Sequence, residues 1–423
     1  MGQTLAEKLI ARAAGKDSVK PGEIVTAKVD LAMMHDSSGP RRFLPILEKL
    51  GAKVWDTDKI VLVSDHWVPA VDAQSAQILD ITRKWARENN VKAFYDMVGI
   101  CHVVLPQGGH LKPGMFVVGG DSHSTTGGAF GCYMFGIGAT DMAGVLVTGE
   151  TWVRVPESIK VEWTGTLLPG VCAKDINLKL CAEIGLGGAE YRTIEYTGEL
   201  ISALDMEERM TISNMAAELG AQAGLIAADD KTAKWIEEAG GGAVESDPWQ
   251  ADADADYHSV HAFDAGDLEP QVAAPHSPAN AAPASEYRNV KIDQAYIGAC
   301  TGAKLADLRM AAEVLRGRQV ADGTRLLVAP ASKKDMMSAN AEGTLTALME
   351  AGAVMMPTGC GACAGFGGGV LAEEEVCISS TSRNFQGRMG AQSSKVYLGS
   401  PYAVAAAAVA GEIRDPREFL NGA

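Results

Sequence analysis

Thr358-Gly359-Cys360-Gly361-Ala362-Cys363-Ala364-Gly365 places two cysteines two residues apart in a glycine-rich turn, and a third stands in Tyr296-Ile297-Gly298-Ala299-Cys300-Thr301-Gly302. Thiolates are soft ligands, and three of them converging from glycine-rich turns suit an iron–sulfur cluster. Glycine lets the backbone approach an inorganic core and aim N–H groups at it. A cubane cluster held by three cysteines keeps one iron without a protein ligand, open to substrate. Spacing alone leaves other readings in place, because a lone C-x-x-C also serves as a redox dithiol or half a zinc site. A structural zinc needs a second close ligand pair, and the sequence has no second C-x-x-C or C-x-x-H. A thioredoxin-like dithiol belongs near a chain start, without a distant partner cysteine.

Working outward, apolar runs end repeatedly in polar turns. Ile24 to Leu31 reads as one alternating strand leading to Met33-Met34-His35-Asp36-Ser37-Ser38-Gly39-Pro40. Ile60 to Val63 is a buried-looking strand followed by Ser64-Asp65-His66-Trp67. Gly99-Ile100-Cys101-His102 opens another irregular segment, and Met115 to Val118 runs into Gly119-Gly120-Asp121-Ser122-His123-Ser124. A polar cluster directly after a strand is where α/β folds place their binding residues. Helices are predicted over Thr4 to Ala14 (Thr4 as cap, Gly15 as stop), Gln74 to Asn89, Ala173 to Ile184 and Met206 to Leu219. Strand, polar turn and helix in alternation predict an α/β class with parallel sheets.

The pattern restarts near Val161, and the segment from Glu245 to Ser285, rich in Ala, Asp and Pro, is the least regular. Three units are therefore predicted: residues 1–158, 159–285 (ending in an irregular crossing segment) and 286–423, the last carrying the cluster cysteines. Asp252-Ala253-Asp254-Ala255-Asp256 reads as a solvated loop.

Composition limits the rest. A chain of 423 residues, 47% hydrophobic and 21% charged, is long enough for two or three packed cores. Its formal charge of −16 argues against a general nucleic-acid or anionic-membrane surface, so an anionic ligand needs a local set of arginines. Arg383 and Arg388 in Ser382-Arg383-Asn384-Phe385-Gln386-Gly387-Arg388 supply one, since closely spaced arginines fork onto carboxylates. Eight irregularly spaced cysteines do not form a disulfide framework, and no apolar run spans a bilayer or forms a signal core. A cytoplasmic protein is expected.

Together these residues resemble the aconitase superfamily, specifically the large subunits of isopropylmalate isomerase, homoaconitase and dimethylmalate dehydratase. The likeness runs in order through His35-Asp36, Asp65-His66, Cys101-His102, Gly120-Asp121-Ser122-His123, Glu195-Tyr196, Met210-Thr211-Ile212-Ser213-Asn214-Met215, Cys300-Thr301, Cys360-Gly361-Ala362-Cys363 and Arg383 to Arg388. It implies three α/β/α domains around a [4Fe-4S] cluster ligated by Cys300, Cys360 and Cys363. It implies hydro-lyase chemistry on a malate-type 2-hydroxy acid, 3-isopropylmalate dehydratase being the first expectation, with homoaconitase and dimethylmalate or methylmalate dehydratase as alternatives. It assigns Asp65, His66 and His102 to protonating the departing hydroxyl, and pairs His123 with Glu195 so that the carboxylate raises the imidazole's pKa. Ser122, Arg383 and Arg388 are placed on the substrate's carboxylates, with Asp121 also among the substrate-binding residues and His35 bordering the pocket. A serine base belongs in this family to a smaller swivelling domain, which this chain has no room for after the cluster unit, so a small partner subunit is expected. An iron sensor without catalysis, the alternative from another class, conflicts with the acidity. Two positions depart from the family's usual pattern: Gly302 and Ser382 stand where Asn is usual.

Overall fold

The computed structural model describes residues 2–246 and 248–420. Its opening helix, Leu5–Ala14, follows the predicted limits: the Thr4 hydroxyl accepts from Glu7 N, Glu7 reciprocates on the Thr4 N–H, and Gly15 closes the helix in the left-handed region. Strand β1 (Ile24–Lys28) and strand β2 (Leu31–His35) are separate elements, which corrects the single strand predicted over Ile24 to Leu31. The break falls at Val29-Asp30. The Asp30 carboxylate is engaged by Arg12 and accepts from Phe116 N at 2.8 Å, fixing the chain where it turns from one sheet into another.

The first sheet holds β2, β3 (Ile60–Ser64), β4 (Ala93–Asp96), β5 (Phe116–Gly119) and β6 (Tyr133–Gly136), in the order β4-β3-β2-β5-β6 and all parallel. β1 instead pairs antiparallel with β7 (Glu150–Arg154) as a two-stranded ribbon. Strands β2, β3 and β5 are buried throughout, as expected for parallel strands covered on both faces. The chain lays β2, β3 and β4 outward in one direction, then crosses to β5 and β6 on the other side. Its switch point lies between β2 and β5, so the loops after His35 and after Gly119 diverge there and open a crevice.

A second sheet contains β8 (Ser158–Thr164), β9 (Thr193–Thr197), β10 (Ala223–Ile226) and β11 (Ser259–Asp264), in the order β10-β9-β8-β11, again parallel. The helix Ala173–Ile184 has the predicted limits, whereas the predicted Met206 to Leu219 helix tightens at Asn214 into a 3₁₀ turn, Met215–Ala217.

The third sheet collects β12 (Gln271–Ala273), β13 (Ala281–Pro283), β14 (Gln294–Ile297), β15 (Arg325–Val328), β16 (Val354–Met355), β17 (Val376–Ser379) and β18 (Lys395–Gly399). The order is β13-β12-β18-β17-β14-β15-β16. β12 and β13, in the stretch expected to cross irregularly, add an antiparallel edge to this sheet. Its parallel body repeats the first sheet's device: β14, β15 and β16 run one way, β17 and β18 the other, and β14 lies beside β17. Cys300 follows β14 and Arg383 follows β17, on either side of that second switch point.

Candidate active site

Strand ends deliver nearly every chemical group to one cleft of about 250 Å³, lined among others by His35, His66, His102, Asp121, Ser122, His123, Cys300, Cys360, Cys363, Ser382, Arg383 and Arg388. A larger cleft of about 700 Å³ carries neither histidine nor cysteine in its lining.

Cys360 and Cys363 sit on a turn brought against β3. Cys360 N donates to Asp65 O at 2.9 Å, and Gly359, at φ +148, has no room for a side chain, because a Cβ there would stand 2.8 Å from the same oxygen. Phe366, just beyond the pair, stacks on Trp67 with ring centroids 4.3 Å apart. On the other side, Asn214 Nδ2 points at Cys300 Sγ from 3.2 Å and also donates to Thr126 Oγ1 at 2.8 Å. Burial pushes the Cys300 thiol up and takes Cys360 to about 12, so without a metal both are protonated. Three free thiols sharing one cleft, beside an amide N–H aimed at sulfur, are a donor set that fits a [4Fe-4S] cluster. Four more cysteines, at 132, 172, 181 and 377, lie outside the cleft lining, and Cys101 is buried behind His102.

Gly302 has a local cause. A Cβ there would stand 2.2 Å from Ser380 Oγ and 2.6 Å from Ser380 O. The Ser380 hydroxyl fills that space, accepting from Gly298 N at 3.0 Å and lying 3.2 Å from Gly302 O. Gly302→Ala is therefore an overpacking change, expected to cost about 1–3 kcal/mol. Thermal melts of the two proteins measure it; an unchanged midpoint would show that Ser380 moves aside freely.

The histidines are organised by carboxylates. His66 Nδ1 lies 2.6 Å from Asp65 Oδ1, and Asp65 Oδ2 accepts from Cys101 N at 2.7 Å. Burial alone would raise Asp65, but His66 and His35 outweigh it and hold the carboxyl at about 2. Burial also opposes charge on His66, yet Cys360, as the thiolate it becomes on ligating metal, and Asp65 prevail and raise its pKa well above the usual histidine value. His66 thus carries a proton at neutral pH, with Nε2 facing Cys360 Sγ at 3.8 Å. Asp36 turns away from the cleft and accepts from the backbone N–H groups of His66 and Trp67. His35 stacks on His66 at 4.1 Å and reaches Asp121 Oδ2 at 3.2 Å. His102 Nε2 lies 2.8 Å from Asp121 Oδ1, off the hydrogen-bond axis, and its Nδ1 is buried without a partner. Burial would raise Asp121 as well, but His102 and His35 hold it well below the carboxylate range.

The expected His123–Glu195 pair does not form. Glu195 lies on β9, where it accepts from Ala6 N at 3.0 Å and Tyr257 Oη at 2.9 Å, so it ties the first helix to the second sheet. His123 Nε2 instead lies 2.9 Å from Glu218 Oε1, and the same carboxylate accepts from Arg383 Nε at 2.9 Å through Oε2. The direction of the shift is also reversed: burial lowers His123 despite Glu218. Burial works against the Glu218 carboxylate too, but His123 and Arg383 together keep it ionised and below its ordinary range. A neutral imidazole and an Arg–Glu ion pair are the result. The sequence held one signal for Glu218: it follows Asn214 by four residues, the spacing of neighbours on a helix face.

Arg383 continues to Ser122 Oγ at 3.0 Å, and Ser382 Oγ stands 3.1 Å from His123 Nε2. Arg388 differs from Arg383, since its Nε is buried without a partner beside the cleft. An unpartnered guanidinium N–H at such a place is costly by itself and suited to a carboxylate.

The sequence profile of the aconitase family (aconitate hydratase) matches residues 7–411. The chain belongs to the aconitase family. Among its relatives, the 3-isopropylmalate dehydratase large subunit 1 of Methanopyrus kandleri is 47% identical over 422 residues, covering 99% of this chain and 100% of the relative. The probable methanogen homoaconitase large subunit of Methanothermobacter thermautotrophicus is 44% identical, covering 98% and 97%. Among solved structures, the holo-form of aconitase X from Thermococcus kodakaraensis superposes with a TM-score of 0.52 at 14% identity over 85% of this chain and 84% of that one, a likeness of fold. No helix among the described residues of this aconitase-family chain is long and apolar enough to cross a membrane.

Proposed function

We propose that this chain is the large subunit of a [4Fe-4S]-dependent hydro-lyase, with 3-isopropylmalate as first substrate and homocitrate-type or dimethylmalate-type acids next. The observation that carries the proposal is the shared cleft: three cysteines, His66 backed by Asp65, the Asp121-centred histidines and two arginines in a chain 47% identical over its length to a 3-isopropylmalate dehydratase large subunit. Cys300, Cys360 and Cys363 would hold the cluster, which when bound supplies a Lewis-acidic iron for the hydroxyl group of the substrate. Arg388 offers its free N–H to one carboxylate, while Arg383 and Ser122, already locked together, present a second anchoring point. His66, kept protonated by Asp65, gives its proton to the departing hydroxyl, which leaves as water. The proton on the neighbouring carbon goes to a base, the C–H electron pair becomes the double bond, and the hydroxyl departs with its own pair. That base we assign to a small partner subunit carrying a swivelling domain. Readdition of water at the adjacent carbon gives the isomer.

The test is to co-express the chain with its small-subunit partner, reconstitute iron and sulfide without oxygen, and follow alkene absorbance with each acid. Turnover of 3-isopropylmalate above the others is expected. A fully loaded pair that turns over none of these acids overturns the proposal.

Protonated His66 also gives a pH prediction. Its raised pKa means that the active form is complete below that pKa and is lost as pH rises through it. Asp65→Asn removes a negative neighbour, lowers the His66 pKa, and should move the alkaline limb of the rate profile to lower pH. An unmoved limb would take His66 out of the acid role.

A further inference from the structure

Lys174, in the first turn of the helix Ala173–Ile184, is 1% exposed. Its Nζ donates to two backbone carbonyls, Thr381 O at 2.5 Å and Ser380 O at 3.3 Å. Among the described residues no carboxylate lies within ion-pair distance of it, in contrast to the other fully buried lysine, Lys304, which has Asp307 at 2.7 Å. Burying an ammonium group is costly unless opposite charge compensates it. The Ser380 carbonyl that Lys174 holds also accepts from the Thr301 hydroxyl at 3.0 Å, directly after Cys300, so the ammonium sits behind the cysteine loop, and the acidic groups that act on it are Glu218, Cys181, Cys363 and Cys300. Glu218 is already neutralised by Arg383, and burial keeps the Cys181 thiol protonated, at about 12. Cys363 and Cys300 remain, and they become negative when they ligate metal. Burial takes Lys174 down to about 8 despite these groups.

We propose that Lys174 is the fixed positive charge of the cluster pocket: it clamps the Ser380 and Thr381 carbonyls ahead of Arg383, and it sets the reduction potential and retention of the cluster that Cys300, Cys360 and Cys363 carry. This rests on the assignment of those three cysteines as cluster ligands. Three thiolates around the cubane core leave a net anion, and a nearby cation stabilises the reduced, more negative form most. The second sheet's unit thereby acts on chemistry housed in the third.

The experiment uses the anaerobically reconstituted full chain as wild type, Lys174→Gln and Lys174→Met. Two quantities are read: the midpoint potential, by titration with dithionite followed by electron paramagnetic resonance, and the rate at which visible absorption bleaches with a chelator. Both variants should titrate at more negative potential and bleach faster than wild type, although glutamine can still donate to Thr381 O. Cluster-free Lys174→Met should still fold, because removal of a lone buried charge offsets the loss of its two hydrogen bonds to carbonyls. Potential and bleaching equal to wild type in Lys174→Gln overturn the proposal. So does a cluster-free Lys174→Met that no longer folds, since Lys174 would then be a scaffold residue. A wild-type chain that takes up no cluster fails the underlying assignment instead, before any variant is compared.

Discussion

Cys300→Ser is expected to give a folded protein that holds no intact cluster and has lost at least about a thousandfold in rate. Metal-centred Lewis acidity is worth several kcal/mol of transition-state charge stabilisation, and each 1.4 kcal/mol is about tenfold. Serine offers a hard, weakly acidic oxygen where the site is built for soft sulfur. The surroundings show how specific that construction is. Asn214 Nδ2 is committed to the sulfur at 3.2 Å, Gly302 is excluded from bearing a side chain by Ser380, and Lys304 Nζ holds Cys300 O at 3.1 Å. None of those contacts requires a thiol for folding, so far-ultraviolet circular dichroism should be unchanged while visible absorption and iron content fall. Activity equal to wild type in this variant would remove Cys300 from the ligand set.

Glu218→Gln is expected to damage stability and substrate binding together. The Glu218 side chain is 1% exposed and its two oxygens are divided between His123 and Arg383, so the amide leaves Arg383 facing a neutral partner. Breaking a buried pair by neutralising one member costs about 3–5 kcal/mol. Arg383 would also lose the contact that aims it at Ser122, so KM should rise more than kcat falls. The sign of the pH effect follows from the lowered Glu218 pKa. Its stabilisation is present above the ordinary glutamate range and is lost as pH falls through the folded-state value. Acid unfolding should therefore be less steep in Glu218→Gln than in wild type. A variant with wild-type midpoint and KM would show that Arg383 holds its position without the carboxylate.

Much of the site was legible because strand ends are local features. An apolar β-branched run followed by glycine and a polar cluster marks both the strand and the place where its loop opens. Asp65-His66 and Gly120-Asp121-Ser122-His123 could be read that way, the Cys360/Cys363 turn by its glycines, and His66, Asp121, Ser122, His123 and both cysteines meet at the cleft. The helix Leu5–Ala14 was legible for the same reason, since its cap, its box and its stop lie within 12 residues of one another. Where a reading depended on two distant segments, it failed. Ile24 to Leu31 alternates like one strand, yet β7 takes Ile24 to Lys28, the chain breaks at Val29-Asp30, and Leu31 opens β2 against β5. Glu195 carried the right chemistry for His123, but β9 points its carboxylate to the N-terminus of the first helix.

The amino-acid order by itself determined the kinds of groups available and the turns that expose them: three soft sulfurs, histidines beside carboxylates, and two arginines in one loop. Tertiary structure alone decided who meets whom. Glu218 rather than Glu195 reaches His123, Ser380 rather than solvent faces Gly302, and Lys174, on the helix Ala173–Ile184, reaches the carbonyls of Ser380 and Thr381. The reason is physical. Local conformation follows from neighbours along the chain, whereas ion pairs and metal sites depend on distances of a few ångströms between segments some 90 to 260 residues apart, and those distances are set by strand order and by the switch points between sheets.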